Sequence, residues 1–427
     1  MTPESELRAL FDIAVQRALP ARVLPAHLPT PPKGRTVVVG AGKASAAMAL
    51  VLEEAWPAGA PLSGLVITRY GHVPPDASPR RGAIRIVEAR HPVPDAAGEV
   101  ATQEMLSCLH GMTQGDLVIA VISGGASALM FAPAEGVSLA DKQAVNAALL
   151  ASGAPISQMN IVRKHLSRVK GDQLAAAAAP ARVLSLMISD VPGDEPALIG
   201  SGPTVGDDST PAEALGILDH WKIAVPAHVR AVLSRPRKVL APSDPRLFSV
   251  TNRIIAAPSL SLAAAADLAT GRGGDVHLLG DAIEGEAREV ARAHAELALQ
   301  VQAGLAPGAR PVFLLSGGEL TVTRRGDGIG GPNAEYCLAL ALALKGAPGI
   351  QALAADTDGV DGAVEVAGAM VLPQTLALAQ ARGLDPIAML ERNDAHSFFE
   401  GIGQQVLTGP TFTNVNDFRA IRIDPPS

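Results

Sequence analysis

The sequence predicts an α/β protein of two α/β domains, the first a three-layer sandwich with helices on both faces of a largely parallel sheet. Three observations carry this reading. Short β-branched runs alternate with alanine-rich helical stretches along most of the chain. The run Leu117 to Ile122 is apolar without polar alternation, as in a strand covered on both faces. The 427 residues exceed the roughly 250 to 300 at which a single core stops growing, so two domains are expected.

In chain order, Leu7, Leu10, Phe11, Ala14, Val15 and Ala18 give a helical spacing from Glu4 to Leu19 that ends before Pro20. A proline-rich connection runs on to Gly34. Thr36 to Val39, Leu65 to Thr68, Ile84 to Val87, Leu117 to Ile122 and Val183 to Ile188 read as strands of a first domain, residues 1–235. Pro236, Pro242 and Pro245 then break the pattern in a stretch with basic residues, so 236–249 reads as a linker. In the second domain, residues 250–427, strands are expected at Arg253 to Ala257, Val276 to Leu279, Val312 to Leu315, Leu320 to Thr323 and Ile350 to Ala354, with helices between.

Composition narrows the function classes. With 48% hydrophobic, 18% charged and only 3% aromatic residues, the chain is globular with an aliphatic core. The net charge of −7 and the scattered basic residues exclude a nucleic-acid partner. Cys108 and Cys337 lie far apart inside apparent helices and suit neither a disulfide framework nor a ligand pair. No apolar run reaches the roughly 20 residues of a membrane span, and the first turns carry acidic residues, so a cytoplasmic location is expected.

The chemistry concentrates in glycine-rich turns. In GAGKASAAMA, Gly40 and Gly42 follow a strand and open a helix, an arrangement that admits an anion to backbone N–H groups. It departs from a dinucleotide fingerprint, since Ser45 replaces the third glycine and the next strand ends at Thr68-Arg69 without an acidic residue for a ribose. Lys43 at the mouth of this turn suits a transferring phosphoryl group or a carboxylate, and a solvated surface lysine is the alternative. In SGGASALM, Ser123, Gly124, Gly125 and Ser127 occupy the same place after the next strand; a tight turn using glycine for its φ angles is the alternative. The long polar loop SDVPGDEPALIGSGPTVGD offers Asp190 as a base or metal ligand.

In the second domain, Ser316, Gly317, Gly318 and Glu319 repeat the strand, turn and carboxylate arrangement. The glycine loop Gly326 to Gly331, ahead of Pro332 and Asn333, suits either nucleotide phosphates or a hairpin connection. Asp356, Asp358 and Asp361 fall within six residues, suited either to Mg²⁺ with a polyphosphate or to turn formation and helix capping. His91 in RHPVPD has a site or a loop role open to it. His165, Arg163, Lys164, Arg168 and Lys170 form a charge run on an apparent helix that faces either polyphosphate or water.

Taken in order, GAGKA, RHPVPD, SGGASAL, VRKHLSRVKG, SDVPGD with GSGPTV, SGGE, GxGGxN and AADTDGVDG resemble the class II glycerate kinases, the glycerate 2-kinase family. The resemblance spans almost the whole chain. It implies a Rossmann-like amino-terminal domain and a distinct α/β carboxy-terminal domain, with ATP and glycerate in the cleft between them, 2-phosphoglycerate as product and Mg²⁺ with the nucleotide.

By that resemblance Lys43 and Asp190 are the catalytic pair. From the turns and carboxylates themselves, Gly40, Gly42, Ser123, Gly124, Gly125, Ser127, Arg163, Lys164, Ser316, Gly317, Gly318, Glu319 and Asn333 are expected to contact substrate or nucleotide, and Asp356 and Asp361 to hold the metal. Two departures stand out. Pro332 and Ala334 replace the family's arginine and glutamine, leaving Arg324 or Arg325 to substitute, and Asp172 stands where a glycine is usual. Family members also carry the name hydroxypyruvate reductase. An NAD(P)H-dependent reductase and a non-catalytic nucleotide- or anion-binding regulator are the alternative functions. A homodimer is left open.

Overall fold

The computed structural model describes residues 2–75, 82–236, 239–362 and 364–426. It divides into two compact units, one of Pro20–Ile255 and one that joins Met1–Leu19 to Ala256–Ser427. The expected boundaries differ at both ends. The helix Pro3–Ala18 buries Leu7, Leu10, Phe11 and Ala14 against Leu262, Ala265, Phe313 and Phe418, and so belongs to the second unit. Much of the expected linker is part of the first unit, whose core takes in Leu240 and Leu247; Arg237 and Lys238 lie outside the described residues. Proline punctuation marks where periodicity stops, whereas the destination of a segment is set by which core receives its apolar face.

The first unit holds β1 (Thr36–Ala41), β2 (Leu62–Arg69), β3 (Ile84–Ala89), β4 (Leu117–Ile122), β5 (Arg182–Ile188) and β6 (Val250–Ala256) in the order β3-β2-β1-β4-β5-β6. This is the Rossmann strand order, and β3 through β5 run parallel. The segment expected to open the second domain, Arg253 to Ala257, is thus the edge strand of this sheet. β1 and β4 are buried along their whole length, as their unbroken apolar sequence predicts. Strand order reverses between β1 and β4, and in such sheets the ligand crevice opens at the carboxyl ends of the strands beside that reversal. Ala41 pairs with Ile122 and Ile122 with Met187, so the turns after β1, β4 and β5 leave the sheet along one edge. Between β4 and β5 the helices Leu139–Ser152 and Ile156–His165 pack with Pro211–His220 and Ala227–Leu233 around a separate small core.

Asp172 has φ +70°, the left-handed backbone that a glycine would take without strain. It is retained by its carboxylate: Asp172 Oδ2 accepts the buried Leu240 amide at 2.6 Å. Asp172→Ala keeps the strain and orphans that amide, and should destabilise the unit by about 1–3 kcal/mol. Asp172→Gly loses the same bond but relieves the strain, and should fall between alanine and wild type in urea unfolding. An alanine variant as stable as wild type would refute the assignment.

The second unit holds β7 (Asp275–Glu286), β8 (Val312–Thr321), β9 (Ile350–Asp356), β10 (Gly368–Val371), β11 (Gln405–Val406) and β12 (Asp417–Ile423) in the order β11-β10-β9-β12-β8-β7. Only β7 and β8 are parallel; the other pairs are antiparallel. The two strands expected at Val312 to Leu315 and Leu320 to Thr323 are one, with Ser316 to Glu319 inside it. A Cβ on Gly318 would stand 2.2 Å from the Ile283 carbonyl oxygen, so glycine is there for the close crossing of β7, where the register shifts between Gly280 and Ile283. Helices Ala287–Gly304 and Pro332–Leu344 cover one face, and Pro3–Ala18 and Pro258–Gly271 the other. Among the described residues no helix is long and apolar enough to cross a membrane.

Candidate active site

The turn after β1 is tied to its neighbours by its own amides. Gly42 N donates to Ile67 O, Lys43 N to Gly124 O at 2.8 Å, Ala44 N to Ser123 Oγ at 3.0 Å and Ser45 N to Gly42 O. These are the groups that would cradle a dinucleotide pyrophosphate, and they are spent inside the protein. Gly40 and Gly42 serve the same closeness: a Cβ on either would lie 2.0 Å from an oxygen of Val121 or Ser123. These close approaches give the two glycines a packing role. What the turn offers outward is the Lys43 side chain, half-buried, which passes 3.6 Å from the Cβ position of Gly125.

The turn after β4 is differently disposed. Gly125 has φ +81°, and a side chain there would meet the His91 ring at 3.0 Å, so glycine leaves room for His91 on one side and Lys43 on the other. Among the described residues no acceptor takes the Gly124 or Gly125 amide. Ser127 follows within hydrogen-bond reach of Ser201, their Oγ atoms 2.9 Å apart, and Ser201 donates to Asn160 Oδ1 at 3.2 Å.

Around Ser127 the fold gathers cations that the sequence disguised. Lys170 Nζ donates to the Ser127 carbonyl and, at 2.8 Å, to its Oγ. Arg163 reaches Asn160 Oδ1 at 3.5 Å and Asn146 Oδ1 at 3.4 Å. Lys142, from the helix Leu139–Ser152, is 1% exposed, with its ammonium 4.8 Å from the Phe131 ring centre and no hydrogen-bond acceptor among the described residues. Burial first, and then the neighbouring charges, depress both lysines. Lys142 comes down to about 7 with Arg163 beside it, and Lys170 well below its usual value with Lys142 and Arg163 beside it. Lys164 is different: it is 3% exposed and closed by Asp207 at 2.5 Å in a buried ion pair. The apparent charged helix face is thus interior at Lys164 and Lys170, with Arg168 exposed. Nothing in DKQAV singles out Lys142, and Lys170 was hidden by its charged neighbours.

Asp190 is half-buried three residues beyond Met187, on the same edge as the turns after β1 and β4. Lys43 and Asp190 therefore flank the β4 turn, from strands that stand about 10 Å apart across two sheet spacings.

The second unit rewrites several expectations. Ser316 Oγ and the Gly317 carbonyl accept from buried Arg419, so Ser316, Gly317 and Gly318 are strand interior and not a nucleotide turn; Glu319 is exposed on the same strand. Asp361 is 1% exposed and caps the helix Pro332–Leu344: Oδ1 takes the Asn333 amide at 3.0 Å, and Oδ2 takes the Ala334 amide at 2.8 Å and faces His396 Nε2 at 3.1 Å. Both oxygens are engaged in this cap. Asn333 is buried and ties Asp361 to Asp417. Asp356 Oδ1 accepts the Asp358 amide at 2.8 Å and remains half-buried at the end of β9. Among the described residues no three His, Cys, Asp or Glu side chains are grouped for a metal.

The glycine loop is clamped rather than flexible. Asn393 Oδ1 accepts the Arg325 and Gly326 amides, and Asp394 Oδ1 the Ile329 amide. Pro332 opens the following helix, where its missing N–H is no loss. Arg324 binds the Gly328 carbonyl and Arg325 lies 3.6 Å from Glu391.

A Rossmann-ordered sheet with cations gathered at its carboxyl edge defines an α/β enzyme that handles small anions. The chain belongs to the glycerate 2-kinase family. The family model described as a domain of unknown function, DUF4147, matches residues 6–234, and the MOFRL family model matches 312–417. It is 36% identical to the D-glycerate 2-kinase of Thermotoga maritima over 97% of this chain and 98% of the other. A protein of Agrobacterium vitis provisionally named hydroxypyruvate reductase is 50% identical over 98% and 94% of the two chains. The crystal structure of glycerate kinase from Thermotoga maritima superposes with a TM-score of 0.87 at 34% identity, covering 99% of this chain and 100% of that one.

Proposed function

We propose that the chain transfers the γ-phosphoryl group of ATP to the 2-hydroxyl of D-glycerate, forming 2-phosphoglycerate in the cytoplasm. The observation that carries the reading is the edge shared by Lys43, the Gly124-Gly125 turn and the cations around Ser127. That edge suits a reaction between two anionic small molecules. Phosphoryl transfer needs little from a protein beyond positioning and charge neutralisation, and Lys43 is the side chain assigned to the transferring group. Asp190 is assigned to orient the acceptor hydroxyl. Mg²⁺ would neutralise the nucleotide phosphates; it is bound through one or two carboxylates together with phosphate and water, and Asp356 is the carboxylate proposed for it.

The spent amides of the β1 turn speak against the reductase reading, because a nicotinamide dinucleotide would need them for its pyrophosphate. Incubation of the purified protein with D-glycerate, ATP and Mg²⁺ should yield 2-phosphoglycerate, while a parallel incubation with NADH and hydroxypyruvate should leave NADH absorbance unchanged. Absence of a phosphorylated product from D-glycerate and from several other small hydroxy acids would overturn the proposal.

A further inference from the structure

We propose that Lys142, Arg163 and Lys170, gathered around Ser127, form the oxyanion subsite that takes the carboxylate of the acceptor substrate. The inference rests on the kinase reading for the identity of that substrate, and on the cluster itself for everything else.

Three separate segments deliver the three cations: the helix Leu139–Ser152, the helix Ile156–His165 and the turn before the helix Gln173–Ala178. Every described partner of the cluster is neutral: Ser127, Asn146, Asn160 and the Phe131 ring. None of the three forms an ion pair among the described residues. Beyond burial, the charges that act are Arg163 on Lys142, and Lys142 with Arg163 on Lys170, all of them positive.

Such an arrangement is unfavourable in an empty protein. A buried ammonium is tolerated when paired, and unpaired like charges repel through a medium that screens them poorly. The same region shows the ordinary solution, for Lys164 two residues from Val162 is closed by Asp207. Methionine would fill the volume of Lys142 with no electrostatic penalty, so a lysine there without an acceptor marks a place where the counter-charge arrives with a ligand.

The chemistry fits a small carboxylate. A guanidinium offers a planar fork that matches two carboxylate oxygens, and the two lysines, pushed toward their neutral form by burial, are drawn back to the ammonium form by an arriving anion and then add point charges. Ser127, Ser201 and Asn160 supply neutral partners for adjoining hydroxyl groups. Ser127 lies two residues from Gly125, which faces Lys43. In glycerate the 2-hydroxyl sits on the carbon bonded to the carboxylate, so anchoring the carboxylate at this cluster presents the 2-hydroxyl rather than the 3-hydroxyl to the neighbouring lysine.

The test uses the full chain as wild type, Lys142→Met and Lys170→Met, with titration calorimetry against D-glycerate, glycerol and sulfate, thermal melting, and steady-state kinetics. Wild type should bind D-glycerate and not glycerol. Lys142→Met should weaken D-glycerate binding by about tenfold or more, raise the KM for glycerate in proportion, and leave the KM for ATP unchanged. Its melting temperature should hold or rise, since an unpaired buried cation has been removed. Should Lys170→Met fail to fold, Lys142→Met alone decides. Glycerate affinity retained in Lys142→Met, or a lower melting temperature with unchanged affinity, would overturn the subsite. If wild type phosphorylates glycerate and the variant keeps its KM, the subsite falls and the kinase reading stands. If wild type binds glycerate in a Lys142-dependent way without turning it over, the kinase reading falls and the carboxylate subsite stands. Binding of sulfate without glycerate would refute the carboxylate assignment.

Discussion

Lys43→Met should lose about 10²- to 10³-fold in kcat for glycerate phosphorylation while melting close to wild type. The scale is that of removing one preorganised charge from the transition state of a group transfer, about 3–4 kcal/mol. The two halves of the expectation separate because Lys43 contributes to the fold through its backbone. Its amide bonds to the Gly124 carbonyl, and that bond survives any side chain at the position. The turn is held in addition by Ser45, whose hydroxyl donates to the Gly42 and Ile67 carbonyls at 2.8 and 2.7 Å. Lys43→Arg keeps the charge but presents a wider planar group beside Gly125 and His91, and should recover only part of the rate. The measurement is kcat at saturating ATP and glycerate for the three proteins, with melting curves as the fold control. Near-normal turnover in Lys43→Met would remove Lys43 from the mechanism.

The first sheet was legible because its strands are covered on both faces, and burial on both faces removes polar residues from the sequence. β12 was not, for a physical reason visible in Asp417 and Arg419. Both are nearly fully buried, and they are tolerated because Arg419 Nη1 meets Asp417 Oδ2 at 3.0 Å, so a core strand carries charges that read as loop. β8 was broken in two by its glycines, which signal a turn in sequence but a close strand crossing in space. The same ambiguity surrounds Asp361. Three aspartates within six residues resemble a metal site, yet in the fold Asp356, Asp358 and Asp361 each turn toward backbone amides. Sequence spacing gives residue types and proximity, while the direction of each carboxylate is decided by which unpaired N–H groups lie nearby. The turns at Lys43 and Gly124 could be read locally, because strand, turn and helix are contiguous there. The cations around Ser127 could not, because 43 positions separate Ser127 from Lys170 and only the fold brings them together.

Glu335→Leu should be the most damaging single change in the second unit. Arg288 and Glu335 are 3% and 0% exposed and meet at 2.6 Å between Nε and Oε1. Arg288 also donates to the Leu390 carbonyl at 2.5 Å and to Glu391 at 3.3 Å, and Glu335 Oε2 accepts from Asn393 at 3.0 Å. Asn393 in turn holds the amides of Arg325 and Gly326. The pair therefore joins helix Ala287–Gly304 to helix Pro332–Leu344 and, through Asn393, to the glycine loop. Removing the carboxylate leaves a buried guanidinium with only the exposed Glu391 carboxylate, 3.3 Å away, as counter-charge, a loss of about 3 kcal/mol, toward the lower end of what breaking a buried pair costs. Against a typical total of about 5–15 kcal/mol that is a large fraction. Amides of the helix Pro332–Leu344 should exchange with solvent about 10² to 10³ times faster, wherever their exchange is limited by unfolding of this unit. The double variant Arg288→Leu with Glu335→Leu should regain most of the protection, because exchanging a buried pair for apolar residues of similar size removes the desolvation penalty along with the attraction. If Glu335→Leu alone exchanges as slowly as wild type, the pair is not what holds these helices. If the double variant is as weak as the single, the damage comes from the lost Asn393 clamp rather than from the stranded charge.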